Sequence, residues 1–293
     1  MSSIIATFHK IPVQDGAKVW YREAGVAGNP TIVLLHGFPS SSNMFRNLIP
    51  LLASQFHVIA PDLPGFGFSE TPDDYTFSFD ALSDTVGYLL DALKIEKYFV
   101  YIFDYGSPVG FRLALKNPSK ITAIISQNGN AYEEGLDDRF WGPLKAYWKS
   151  YQSDPAFVEA LSSYVQDPAN VISQYHDGVA DIEAVDPAAY TLDIALMQRT
   201  GQTDIQLELF FDYQNNVKLY PEFQQFLRDS NIPVLVAWGA NDTIFSVAGA
   251  EGYRKDVSNL KIVYYDTGHF ALETHVVEIA EEIISMLGED SRR

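Results

Sequence analysis

Three residues of this chain have the types and spacing for covalent hydrolytic chemistry. The first is Asp104, in the string Ile102-Phe103-Asp104-Tyr105-Gly106, followed by Ser107-Pro108-Val109-Gly110. A residue at the apex of a sharp strand-to-helix turn is pushed out above the sheet, and small neighbours let the chain turn that tightly. The recurring pattern is Gly-x-nucleophile-x-Gly. Here the apex residue is a carboxylate, which the dipole and free N–H groups at a helix start keep ionised. Aspartate is also a common helix N-cap, so this string alone leaves both readings open. Asp242, in Trp238-Gly239-Ala240-Asn241-Asp242, and His269, in Thr267-Gly268-His269-Phe270, each follow an apolar run. Apex residue, acid, histidine is the chain order expected for such a turn. The imidazole supplies a base, and an aspartate holds its tautomer. The three together make Asp104 the nucleophile, His269 the base and Asp242 the residue that orients it.

An aspartate nucleophile suits a particular substrate. It can attack an sp³ carbon and leave an ester that water cleaves at a carbonyl, whereas serine would leave an unreactive ether. Attack on an ordinary ester would give a labile anhydride instead. The ester step needs donors for an oxyanion. The turn His36-Gly37-Phe38-Pro39 can aim the Phe38 N–H at the apex, opposite the N–H of Tyr105. His36 itself reads as part of that structured turn. The glycines of Asp62-Leu63-Pro64-Gly65-Phe66-Gly67-Phe68-Ser69 read as loop-shaping, since their spacing is not that of a dinucleotide phosphate cradle. His9, His57, His176 and His275 lie outside any motif. Ser107 sits three residues past the apex, too far to replace it.

The elements that must position these residues alternate along the chain. Strand-like runs cover 4–12, 18–24, 31–37, 56–62, 98–104, 121–127, 232–239 and 261–267, with a turn signal at Asp15-Gly16. Helical patterns fall at 42–53, 79–94 (with Ser78 as N-cap), after 106, near 246–256 and near 274–287. Such alternation predicts an α/β fold around a mostly parallel, twisted sheet flanked by helices. From 131 to 220 the alternation stops and the chain is rich in aromatics and helix formers. The expectation is a core of residues 1–130 and 221–293, with 131–220 as a helical cap inserted between late strands. Ligands in such sheets bind outside the carboxyl ends of the strands, where a cap would cover them.

Composition narrows the function classes. A net charge of −18 argues against nucleic acid and anionic membranes as partners. The absence of cysteine excludes disulfides, thiolate metal sites and a cysteine nucleophile. No secretory signal or membrane-spanning run is visible, which predicts a cytoplasmic protein. No cofactor or metal is expected. The cap aromatics suggest an apolar small-molecule substrate.

Taken together, HGFP (36–39), DLPGFGFSE (62–70), FDYGSPVG (103–110), WGAND (238–242) and GHF (268–270) resemble the epoxide hydrolase and haloalkane dehalogenase branch of the α/β-hydrolase fold, over essentially the whole chain. Fungal epoxide-hydrolase-like proteins give the nearest impression. The resemblance implies attack by Asp104 on an electrophilic carbon, activation of water by His269 and orientation of the histidine by Asp242. It also implies two cap tyrosines that donate to the leaving oxygen. Tyr213, in Phe211-Asp212-Tyr213-Gln214-Asn215, is the first candidate. Tyr147 is preferred to Tyr151 as the second. Tyr151, Trp141 and Phe211 are expected in the substrate pocket. Tyr105 stands where most relatives carry tryptophan, or arginine in fluoroacetate dehalogenases, Ile102 where the turn usually has glycine, and Gln214 where arginine is usual. The reading is therefore an epoxide hydrolase forming vicinal diols. A haloalkane or haloacid dehalogenase with the same triad, and a non-catalytic ligand-binding or receptor protein of this fold, remain alternatives.

Overall fold

The computed structural model describes residues 5–150 and 154–290. Its strands are β1 (Thr7–Pro12), β2 (Lys18–Ala24), β3 (Thr31–Leu35), β4 (His57–Pro61), β5 (Tyr98–Phe103), β6 (Ile121–Gln127), β7 (Val234–Gly239) and β8 (Leu260–Tyr265). They form one sheet in the order β1-β2-β4-β3-β5-β6-β7-β8. β1 and β2 pair antiparallel, β2 joins β4 antiparallel, and all later pairings are parallel. The central strands β3 to β7 run apolar on both faces because each face has its own core. Val33, Leu35, Val100, Ile102 and Val236 belong to one buried cluster, and Ile32, Leu34, Phe99, Tyr101 and Leu235 to the other.

The helices are α1 (Ile49–Leu52), α2 (Phe79–Ala92), α3 (Gly106–Lys116), α4 (Asp138–Ser150), α5 (Pro155–Gln166), α6 (Pro168–His176), α7 (Pro187–Met197), α8 (Gln202–Ser230), α9 (Val247–Gly252) and α10 (Val276–Asp290). Ser78 caps α2 by accepting from the Ala81 N–H at 3.2 Å. The helix expected over 42–53 is split into a 3₁₀ turn (Ser42–Phe45) and α1, which begins afresh around Pro50.

Helices α4 to α8 lie between β6 and β7. Three of them open on the same device, an aspartate cap followed by proline. Asp154, Asp167 and Asp186 accept from Ala156, Ala169 and Ala188 N–H at 2.9–3.0 Å. Proline fits the first turn, where its missing N–H has no helical partner to lose. The last helix, α8, continues through Pro221 to Ser230, so the expected boundary at 220 falls inside it. Packing outweighs the proline. The buried stripe Tyr213, Asn216, Tyr220, Phe223, Leu227 spans the position, and Phe223 stacks on Phe111 of α3 at 5.0 Å. Arg112 of α3 adds a bridge, donating to Asn216 Oδ1 at 2.6 Å and to Asp80 Oδ1 of α2 at 2.6 Å.

Candidate active site

Parallel register brings the carboxyl ends of β3, β5, β6, β7 and β8 to one edge: Leu35 opposes Ile102, Phe103 opposes Gln127, and Gly239 opposes Tyr265. The loops that leave this edge carry Phe38, Asp104, Asn128, Asp242 and His269. Asp104 stands between β5 and α3 at φ 46, a left-handed conformation unusual for a non-glycine residue. Gly106 makes the turn possible, since a Cβ there would lie 2.7 Å from the Leu35 carbonyl carbon. Ile102 fits in place of a glycine because the compensating space is at Gly110, whose missing side chain leaves room for the Ile102 methyl.

The Asp104 carboxylate is almost fully buried. Its Oδ1 accepts from the Phe38 N–H at 2.6 Å, beside the cis Phe38–Pro39 bond. Burial pushes the Asp104 pKa up to about 6. His269 and the Phe38 and Tyr105 N–H groups hold it from rising further. The two N–H groups named from the sequence thus act on one carboxylate.

His269 Nδ1 and Asp242 Oδ2 are 2.8 Å apart. Burial pulls the His269 pKa down, but the charge and hydrogen bond of Asp242, aided by Asp104, outweigh it, and the net direction is upward. His269 Nε2 is buried with no hydrogen-bond partner among the described residues. Asp242 is itself held at both oxygens: Oδ1 accepts from the Ile244 N–H at 2.7 Å and Oδ2 from Asn128 Nδ2 at 2.7 Å. Asn128 Oδ1 accepts from the Gly239 N–H at 2.9 Å and from Gln127 Nε2 at 3.0 Å. Gln127 Nε2 also donates to the His269 carbonyl at 2.8 Å. Sequence reasoning missed this buried amide pair. The available signal was an asparagine directly after the run 121–127, since asparagine tolerates the φ of 46 that Asn128 adopts.

The neighbouring loops support the turn, as their glycines suggested. Buried His36 accepts from the Leu63 N–H through Nε2 at 2.9 Å, and its Nδ1 lies 3.0 Å from the Gly37 carbonyl. Burial lowers its pKa to about 4, so it is neutral and structural. Asp62 accepts from Ser42 N–H and Phe68 N–H, each at 2.8 Å. Among the described residues, no group of three His, Cys, Asp or Glu is placed to hold a metal ion. No described helix is long and apolar enough to cross a membrane.

Asp104 opens onto a cavity of about 260 Å³ between the sheet edge and the inserted helices. Its wall includes Phe38, Tyr105, Trp141, Leu144, Leu161, Tyr164, Gln174, Phe210 and Tyr213. Tyr213 is fully buried, and its hydroxyl lies 3.5 Å from that of Tyr220. Burial raises its pKa well above that of a free phenol. Trp141 lines the cavity while its Nε1 donates to the Ile244 carbonyl at 2.8 Å, tying α4 to the segment that holds Asp242. Tyr147 and Phe211 do not line it. They pack edge to face at 5.7 Å, with Tyr147 buried and Phe211 half-buried. Tyr151 lies outside the described residues. Tyr164 and Gln174, which the sequence did not single out, stand in the wall instead.

A family model described as alpha/beta hydrolase fold matches residues 30–276. An uncharacterized hydrolase of Saccharomyces cerevisiae is 82% identical over 290 residues, covering 99% of this chain and all of that protein. Among solved structures, a haloalkane dehalogenase from Bradyrhizobium elkani superposes with a TM-score of 0.80 at 21% identity, over 98% of this chain and all of that one. An epoxide hydrolase, CorEH, superposes at 0.77 and 20% identity, over 97% and 99%. At those identities the two structures speak for the fold alone. With the sheet order, the elbow at Asp104 and the family match over most of its length, the chain belongs to the α/β-hydrolase family and is a hydrolase.

Proposed function

We propose that this hydrolase opens epoxides to vicinal diols through an ester on Asp104. The observation that carries the reading is an aspartate at the elbow apex, with two backbone N–H groups on its carboxylate, facing a cavity that also holds the Tyr213 phenol. Asp104 attacks an epoxide carbon as the C–O bond breaks, and Tyr213 gives its proton to the departing alkoxide. His269 Nε2, its ring held by Asp242, takes a proton from water as that water attacks Cγ of Asp104. The Phe38 and Tyr105 N–H groups hold the oxyanion. Its collapse frees the diol and restores the carboxylate, and the His269 proton returns through the leaving alkoxide to Tyr213.

The tryptophans favour an epoxide over a haloalkane. A tryptophan N–H could hold a halide leaving group only if it were free in the cavity. The Trp141 Nε1 in the wall is already bonded to the Ile244 carbonyl, Trp148 Nε1 donates to Phe210 O at 2.8 Å, and Trp238 Nε1 to Phe245 O at 3.2 Å. The residue after Asp104 is Tyr105, whose side chain carries no such N–H. The test is intact-protein mass spectrometry of His269→Gln incubated with aryl and alkyl epoxides and with haloalkanes. A whole-epoxide adduct mapped to Asp104 is expected. An adduct lacking halogen, from haloalkanes only, would make the enzyme a dehalogenase. Hydrolysis that persists in Asp104→Ala without any adduct would refute the nucleophile.

A further inference from the structure

Tyr164 and Gln174 stand in the cavity wall with Asp104 and Tyr213, yet the reaction above gives neither a task. They come from two different inserted helices, α5 and α6, and meet at the cavity, where Gln174 Nε2 donates to the Tyr164 hydroxyl at 3.2 Å. Gln174 is only 6% exposed, and its Oε1 has no hydrogen-bond partner among the described residues. A buried acceptor left unpaired is unfavourable, and a ligand that brings a donor relieves it. The Tyr164 oxygen, having accepted from Gln174, still has its own proton to give. With the second proton of the Gln174 amide, the pair therefore presents one acceptor and two donors side by side. Turning the amide over would exchange the two roles and leave the same set.

Around the pair the wall is apolar, with Leu144, Leu161 and Phe210. A hydroxyl is the small neutral group that satisfies both partners, accepting from Tyr164 and donating to Gln174 Oε1. A carboxylate would face that acceptor and the Asp104 charge in one cavity, and the Arg139 that also borders it is largely exposed and paired with Asp137. An ammonium group has no lone pair to take the Tyr164 proton. We propose that Tyr164 and Gln174 read a hydroxyl on the substrate, which makes the substrate class an epoxide carrying one hydroxyl on an otherwise apolar skeleton. This rests on the epoxide reading of the same site.

Two measurements test it. The first compares kcat/KM for terminal epoxyalkanes of graded length with that for their ω-hydroxy counterparts, in the wild type, Tyr164→Phe and Gln174→Leu. At one chain length the hydroxyl should raise kcat/KM about tenfold or more, mainly through KM, and either variant should bring that ratio within about twofold of unity. The second compares wild-type equilibrium binding of straight-chain alcohols with that of methyl ethers of matched length, which keep the acceptor and lack the donor. Alcohols should bind about tenfold more tightly.

Epoxides consumed with no hydroxyl preference at any length, and alcohols bound like ethers, would overturn this inference and leave the epoxide reading intact. Alcohols preferred while no epoxide is consumed would keep the hydroxyl site and sink the epoxide reading. Equal loss of kcat on both substrate series in Tyr164→Phe would place the pair at the breaking C–O bond and overturn the assignment.

Discussion

Gly37 offers the sharpest test of how Asp104 is held. A methyl group added at Gly37 would sit 2.7 Å from Asp104 Cγ, and nearer still to its Cβ and Oδ1. Ordinary carbon–carbon contact is about 3.5–4.0 Å, so the aspartate side chain would have to retreat by roughly 1 Å. Its backbone has little freedom to follow, because φ is 46 at the apex and Gly106 is pressed against the end of β3. The displacement then falls on the carboxylate and on the 2.6 Å bond from the Phe38 N–H. Overpacking of this kind costs about 1–3 kcal/mol, and misplacing a reacting group by ~1 Å can cost about 10²-fold in rate. Gly37→Ala should therefore lower the rate of ester formation on an epoxide about a hundredfold, read by single-turnover mass spectrometry. Urea unfolding should show a loss of about 1–3 kcal/mol. Gly28→Ala is the control: nothing lies within 4 Å of a Cβ there, and stability should stay within about 0.5 kcal/mol. Gly37→Ala that forms ester within about threefold of the wild-type rate would refute the claim that this turn fixes the nucleophile.

Asp242→Asn should leave ester formation largely intact and slow its hydrolysis by ~10³–10⁴-fold, so that a burst of one equivalent precedes a very slow steady state; a uniform slowing without a burst would count against the role given to His269. Asn128→Ala removes the 2.7 Å donor to Asp242 and leaves the Gly239 N–H unpaired, which should cost about 1–3 kcal/mol in chemical denaturation and lower kcat, while a neutral result would remove Asn128 from the positioning of the acid. Tyr213→Phe should lower kcat/KM for epoxides by ~10²–10⁴-fold. Tyr147→Phe, outside the cavity wall, should change it by less than about threefold, and the reverse ranking would return Tyr147 to the reacting centre. The Asp104 pKa of about 6, against an ordinary 3.8, means that the native state holds this proton more tightly than the unfolded chain does. Wild-type stability should therefore fall, relative to Asp104→Asn, as pH rises through that window, by up to ~3 kcal/mol at about 1.4 kcal/mol per pH unit. Parallel stability–pH curves for the two proteins would contradict the burial argument.

What the sequence made legible was whatever depends on strand ends. Asp104 follows an apolar run directly, Asp242 and His269 follow theirs within a short loop, and a parallel sheet must collect such positions at one edge. The HGFP turn was legible for the same reason. What depends on how helices pack was not. Tyr164 and Gln174 are ten residues apart on separate helices, and no periodicity tells that both face the same cavity. Tyr147 was preferred by position alone, while the actual packing turns it onto Phe211. The end of α8 was hidden by Pro221, an ordinary stop signal that a long buried stripe overrides. Asn128 was overlooked because an amide beside a strand end carries no chemistry of its own, and its importance appears only once Asp242 lies within 2.7 Å.

The environment of Asp104 also bears on how a carboxylate would serve the proposed chemistry. An aspartate in water is fully ionised near neutral pH but well hydrated, and hydration must be shed before it can attack carbon. Full burial without partners would remove the water but drive the group to its neutral form. The elbow sits between these limits. Burial strips the solvent, two backbone N–H groups and the nearby His269 replace part of what is lost, and the pKa settles at about 6. At pH 7 such a group is roughly 90% ionised, so the desolvated carboxylate is both present and more basic than a hydrated one. The N–H groups that hold it belong to backbone packed closely at Gly37 and Gly106, and in the proposed ester cleavage they need not reorganise when the charge moves to the carbonyl oxygen. A serine hydroxyl at this apex would be neutral to begin with, so burial would not raise its basicity in the way it raises that of a carboxylate.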